Sequence, residues 1–409
     1  MSDAARRPGL DLMRVLAVAA VAWFHFGFRM QATGEAGPLV TGDPGIFARY
    51  GYLGVSVFFA ISGYVISIST EGRDPFGFAV ARVARLWPTF ILCMSLTALV
   101  TLAVPGFAFS VTLPQYLANL TMLPPFLGQP YVDGAYWSIV AEILFYAWVG
   151  LLMTVRLWAR FQVQVALVWL AIAALDQALI GSDLLRRLFL TDFAGFFAFG
   201  MMLRARERGA AGASVVLVAA FVQAIAGAAV FAEGLERLYE GERFSQPLIA
   251  VAVAVALVAL ALATRPSRVG LPAGLVAIAG RATYPFYLLH QHIGYAVFLL
   301  LVPLLGFAGT AFILLFLHWQ LALLILFMNP LVIYFTMMVG KHVKALKKRE
   351  NSAFEIFQQS LTETLDGIQQ IRTANREKHY LRRVIDHARH VRNHSSEFAW
   401  KSDAANRIS

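Results

Sequence analysis

Residues 51–69 read Gly51-Tyr-Leu-Gly-Val-Ser-Val-Phe-Phe-Ala-Ile-Ser-Gly-Tyr64-Val-Ile-Ser-Ile-Ser69. This is an apolar run of the length that carries an α-helix across a bilayer. Comparable runs fall at about 12–30, 87–104, 136–155, 162–181, 188–203, 213–232, 246–264, 282–302 and 313–338. None shows the roughly 10-residue in/out alternation of a membrane barrel strand. The composition agrees with these runs. Of 409 residues, 59% are hydrophobic and 14% charged, and the mean hydropathy is +0.65. A soluble chain of this size could not hide that much apolar surface. The sequence therefore predicts an all-α polytopic membrane protein of about ten transmembrane helices.

The charges between the spans give an orientation. Arg6 and Arg7, the 70–86 loop with Arg73, Arg82 and Arg85, Arg156 and Arg160, Arg204 to Arg208, and Arg265 to Arg281 all fall on one side. The opposite loop at 105–135 has no Lys or Arg. The positive-inside rule makes the arginine-rich side cytoplasmic and places the N-terminus inside. Arg186 and Arg187 fall outside this pattern. The formal charge of +10 belongs first to these loops and then to an anionic ligand. A single cysteine, Cys93, excludes disulfides, cysteine zinc sites and iron–sulfur clusters. The N-terminal run carries Asp11, Arg14 and His25 and no small-residue cleavage site, so it reads as a span and not as a cleaved signal.

Ionisable side chains in hydrocarbon cost a few kcal/mol each, which makes every one a functional candidate. Asp11 and Arg14 are i,i+3 neighbours that can pair. His25 lies about 20° off the Arg14 face and roughly 16 Å deeper. It is either a base or a hydrogen-bonding link to another helix. The small residues of 51–63 admit a close helix or a ligand. Arg82 and Arg85, at i,i+3, can grip a phosphate or merely anchor the topology. Glu142 is a carboxylate in an apolar helix, with Ser138 one turn before and Tyr146 one turn after. A purely structural role would need a partner for it, and Arg14 or an arginine at lipid level could serve. His290 and His292, at i,i+2, do not share a helix face, and no metal site is expected from them. There is no HExxH, Walker A, GxSxG or strand-borne GxGxxG sequence, so nucleotide hydrolysis and soluble-hydrolase chemistry have no residues here.

Five segments in order, over roughly residues 8–302, resemble the acyltransferase-3 family of integral membrane acyltransferases. They are Leu10-Asp11-x-x-Arg14 with His25; Gly54-Val-x-x-Phe-Phe-x-x-Ser-Gly63; Arg82-x-x-Arg85-x-x-Pro88; Trp137-Ser-x-x-x-Glu142-x-x-Phe-Tyr146; and Tyr284-x-x-Tyr287-Leu-x-His290. The resemblance implies transfer of an acyl group, usually acetyl, from acetyl-CoA or another acyl-CoA to a hydroxyl of a carbohydrate or lipid-linked acceptor. It makes His25 the catalytic histidine. Arg14, Arg82 and Arg85 would serve the donor, and Glu142 would support the centre. Asp11, Ser138, Tyr146 and His290 are further candidates. A thioester is already activated, so the reaction calls for no metal, and a histidine base suits neutral pH.

After about Gly340 the composition changes: residues 341–409 hold 14 Lys+Arg, 8 Asp+Glu and 5 of the 9 His. Phe354, Phe357, Leu361, Leu365 and Ile368 mark a long amphipathic helix leaving the membrane on the cytoplasmic side. Residues 309–409 resemble part of an ABC exporter transmembrane domain, which divides the chain into an acyltransferase-like 1–305 and an appended, fusion-like 306–409. A hairpin in 309–340 would strand the charges of 341–349 outside, so a single crossing is expected and both termini are cytoplasmic. In a bacterium this would be an inner-membrane protein. The expected partners are acyl-CoA, the acceptor and membrane lipid, with no nucleic acid and no ATPase, and a homo-oligomer is left open. An exporter fragment and an inactive scaffold are the alternative readings.

Overall fold

The computed structural model describes residues 7–34, 45–104, 109–265, 272–301, 304, 319–368, 373 and 376–408. The chain divides into two compact units, 1–303 and 304–409. Among the described residues all regular structure is helical, and eight helices are long and apolar enough to cross a membrane. These eight correspond to the first eight expected spans, seven of them longer than read from the sequence and the eighth, Gln246–Ala263, one residue shorter.

In the first unit, α1 (Pro8–Trp23) passes into a π-helical turn, Phe24–Arg29, that contains His25. After α2 (Gly45–Tyr50) comes α3 (Leu53–Ser69), the run quoted above. Next is α4 (Pro75–Ala103). It begins well before the expected span because the Asp74 side chain accepts the amides of Phe76 and Gly77 and Pro75 takes the first helical position. Arg82 and Arg85, expected in a loop, therefore stand on α4 itself. There follow α5 (Leu113–Asn119), α6 (Trp137–Thr154), α7 (Trp158–Leu175), α8 (Asp183–Phe189), α9 (Ala194–Glu207), α10 (Ala213–Leu238) and α11 (Gln246–Ala263).

Helices α3 and α9 are the centre of this unit and are buried along most of their length. Small residues let their backbones approach. A Cβ on Gly63 would collide with the Phe197 carbonyl, and one on Gly200 with the Ala60 carbonyl. On the other side of α3, Gly51 and Gly54 press against the carbonyls of Ala20 and Ala17 in α1. Without a hydrophobic drive between helices in lipid, such close packing is what holds them together. Around the α3–α9 seam, Phe59 stacks on Phe197 at 4.7 Å and Phe145 on Phe197 at 4.2 Å. At the arginine-rich end, Glu207 accepts Tyr64 OH and pairs with Arg7 at 2.6 Å, while Arg204 holds Glu71 at 2.8 Å. Those arginines had been read only as topology markers. Hydrogen bonds from Arg204 hold the Glu71 carboxyl below the usual carboxylate range.

The ninth expected span, 282–302, is not one helix. It is α12 (Ala273–Leu289), a turn at His290–Gln291, and α13 (His292–Leu301). The break has a physical cause. The Leu288 carbonyl accepts Tyr136 OH at 3.1 Å, and the His292 amide donates to Asp133 Oδ2 at 3.0 Å. An i,i+4 donor and acceptor are thus both taken by side chains from the segment before α6. The tenth expected span, 313–338, falls partly on residues 305–318, which lie outside the described residues.

In the second unit, α14 (Trp319–Asp366) is one continuous helix of 48 residues, so no hairpin interrupts 319–366. It packs against α15 (Glu377–Ile408). The tail expected as one amphipathic helix is thus two. Phe354, Leu361, Leu365 and Ile368 remain exposed.

Candidate functional site

A cavity of about 890 Å³ opens in the first unit between α1, α3, α4, α6 and α12. Its size is that of a cofactor or drug-sized ligand site. Six arginines line it, Arg7, Arg14, Arg73, Arg82, Arg85 and Arg281, against three acids, Asp11, Glu71 and Glu142. The acids are already engaged. Asp11 accepts Arg14 Nη1 at 2.8 Å. It is buried because α12 presents bare backbone there: a Cβ on Gly280 would lie 2.8 Å from Asp11 Oδ1. Glu71 is held by Arg204, outside the cavity lining. Glu142 accepts Ser62 Oγ at 2.9 Å and also Tyr146 OH. This corrects the expectation that Glu142 pairs with an arginine: two hydroxyls, one from α3 and one a turn further along α6, satisfy it instead.

Neither Arg82 nor Arg85 has a carboxylate within ion-pair distance among the described residues. The Nε and Nη1 atoms of Arg82 are enclosed and have no hydrogen-bond partner, with the guanidinium 5.8 Å from the Phe78 ring and 6.0 Å from the Tyr146 ring. An enclosed donor left without a partner costs about 1–3 kcal/mol. The cavity thus gathers Asp11, Arg14, Arg82, Arg85, Ser138, Glu142 and Tyr146.

His25 and His290 are not in its lining. They form a pair of their own, with His290 Nε2 3.1 Å from His25 Nδ1. Tyr287 connects this pair to the cavity. That residue lines the cavity and packs on His290 with ring centroids 5.4 Å apart. Its hydroxyl lies 2.6 Å from Ser138 Oγ and 3.0 Å from the Ala135 carbonyl. Ser138 therefore serves Tyr287 and not Glu142. The π-turn adds a second fixation: the His25 carbonyl accepts Tyr295 OH at 3.1 Å. Single π-turns inside α-helices gather at functional sites.

Sequence reasoning did not find Asp133, Tyr136, Ser62 or the His25–His290 contact. Asp133-Gly134 carried a local signal, a turn dipeptide just ahead of an apolar helix. The pairing of residues 265 positions apart carried none. Among the described residues no group of three metal-binding side chains comes together.

The sequence model of the Acyl_transf_3 family, an acyltransferase domain, matches residues 7–344. It begins with the first motif and runs past 302 into the stretch read as exporter-like. No curated protein matches the chain, and no solved structure does.

Proposed function

The chain belongs to the acyltransferase-3 family and is a membrane acyltransferase, and we propose that it moves an acyl group, acetyl in the simplest case, from acyl-CoA to a hydroxyl of a carbohydrate or lipid-linked acceptor. One observation carries the donor: Arg82, with enclosed and unpartnered guanidinium nitrogens, stands beside Arg85 in a cavity that reaches toward the histidine pair at Tyr287. Arginine forks match phosphate oxygens bidentately, and acyl-CoA carries its phosphates away from its thioester. With the phosphates at Arg82 and Arg85, the pantetheine arm would run along α3 and α12 toward Tyr287.

His25 then acts as general base. It takes the proton of the acceptor hydroxyl while that oxygen attacks the thioester carbonyl carbon. As the tetrahedral intermediate collapses, the C–S bond breaks and the leaving thiolate takes the proton back from His25. Glu142, fixed by Ser62 and Tyr146, stands as a hydrogen-bond acceptor among the cavity arginines. The positive-inside rule supports a donor mouth and both termini in the cytoplasm. The family match reaches residue 344, which favours a catalytic unit that continues to about there and leaves 345–409 as the appended segment.

The test is transfer of label from radiolabelled acetyl-CoA in membranes. Wild type should label a hydroxyl-bearing acceptor and His25→Ala should not. An active His25→Ala would remove the mechanism, and no transfer by wild type would remove the donor.

A further inference from the structure

The hydrogen bonds around the two buried imidazoles fix where each proton sits. His290 Nδ1 lies 2.6 Å from the Tyr287 carbonyl, which only accepts. That nitrogen therefore carries a hydrogen, and Nε2 of neutral His290 is left with a lone pair. His25 Nδ1 faces two acceptors, the Val21 carbonyl at 2.9 Å and His290 Nε2 at 3.1 Å. It must therefore be the protonated nitrogen of His25. The reverse assignment would set lone pair against lone pair at both the Tyr287 and the Val21 carbonyl. His25 Nε2 is left unprotonated, with no hydrogen-bond partner among the described residues.

We propose that His290 is the positioning residue for His25: it locks the Nδ1–H tautomer, presents Nε2 as the base, and accepts a stronger hydrogen bond when His25 becomes imidazolium. This deepens the acyl-transfer reading above and rests on it. Orientation of a catalytic imidazole through its other nitrogen is a general device. The fold gives His290 a defined place. The helix break next to it is made by Tyr136 and Asp133, and its ring packs against Phe286 and Tyr287. The charged and titratable groups around the pair are Arg29 on the π-turn, His292 beyond the break and Asp133 before α6. In the transfer step the hydroxyl proton moves to His25 Nε2 and returns from it to the leaving thiolate. The Nδ1 proton stays on His25 throughout, and His290 neither gains nor loses one.

The experiment measures acetyl transfer, with KM for acetyl-CoA, for wild type, His290→Ala and His290→Gln. A glutamine can place its carbonyl oxygen where Nε2 stood and accept the same hydrogen bond. His290→Ala should lose about 10²-fold or more in kcat, the scale of general-base catalysis, with KM for acetyl-CoA within about twofold. His290→Gln should recover most of that loss. A fully active His290→Ala would overturn the proposal while leaving acyl transfer intact. So would a His290→Gln as slow as His290→Ala that still binds acetyl-CoA. If His290→Ala does not bind acetyl-CoA at all, the glutamine variant alone decides. No transfer by wild type would instead remove the acyl-transfer reading, and the positioning role with it.

Discussion

Replacing Arg82 and Arg85 by alanine, singly and together, probes the donor site with two opposed readouts. A charge-assisted hydrogen bond contributes about 1.5–3 kcal/mol, and each 1.4 kcal/mol is about tenfold in affinity. Arg82 is the more enclosed of the two and Arg85 the more exposed. Arg82→Ala should therefore weaken acetyl-CoA binding roughly 30- to 100-fold, and Arg85→Ala roughly tenfold. The second readout is stability without donor. Two Arg82 nitrogens are enclosed and unsatisfied, so their removal takes away an uncompensated cost, against which stand a hydrogen bond with Tyr146 and contacts with the Phe78 and Tyr146 rings. The empty Arg82→Ala protein should unfold no earlier than wild type. Titration of acetyl-CoA into purified protein gives the affinity, and thermal unfolding with and without donor gives the stability. Unchanged affinity in the double variant would refute the donor site. A strongly destabilised Arg82→Ala would show that the arginine is a structural anchor.

Other consequences of the structure are as direct. Gly200→Ala should destabilise the protein by about 1–3 kcal/mol by forcing α3 from α9, seen as a lower unfolding temperature. A wild-type value would contradict the close packing. For Glu71 the folded-state acidity is raised, so the stability it adds is full above the ordinary carboxylate range and fades as pH falls through its lowered value. Wild type and Glu71→Gln should differ in unfolding temperature at neutral pH and converge in acid, and a gap that widens in acid would exclude the Glu71–Arg204 pair as its source. A chain ending after residue 344 should keep transfer activity, and its loss from properly inserted protein would make 345–409 part of the enzyme. A reporter after Ser409 should read cytoplasmic, whereas a signal from the opposite side would add a crossing.

Most of the architecture was legible because span length and hydropathy report directly on a bilayer. Eight apolar runs became eight helices. The small residues of 51–63 became the seam that α3 makes with α1 and α9. The Asp11–Arg14 contact was readable because i,i+3 spacing is local geometry. What failed rests on side-chain contacts that hydropathy does not register. Hydropathy treats 282–302 as continuous, whereas its break is imposed by Tyr136 and Asp133 from another segment. The start of α4 was missed because arginines count against a span, although an Asp-Pro cap carries them into the helix. Glu142 was read toward arginine because charge suggests charge, and the nearer hydroxyls of Ser62 and Tyr146 satisfied it instead.

The central claim separates binding from chemistry: the arginine-lined cavity holds the donor and His25, beyond Tyr287, performs the transfer. Acetyl-CoA binding and acetyl transfer measured on the same preparation of His25→Ala test it most directly. The account predicts a dissociation constant within about twofold of wild type, since His25 does not line the cavity, together with transfer lowered by at least about 10²-fold. Loss of donor binding in step with loss of transfer, or transfer that persists, would contradict it.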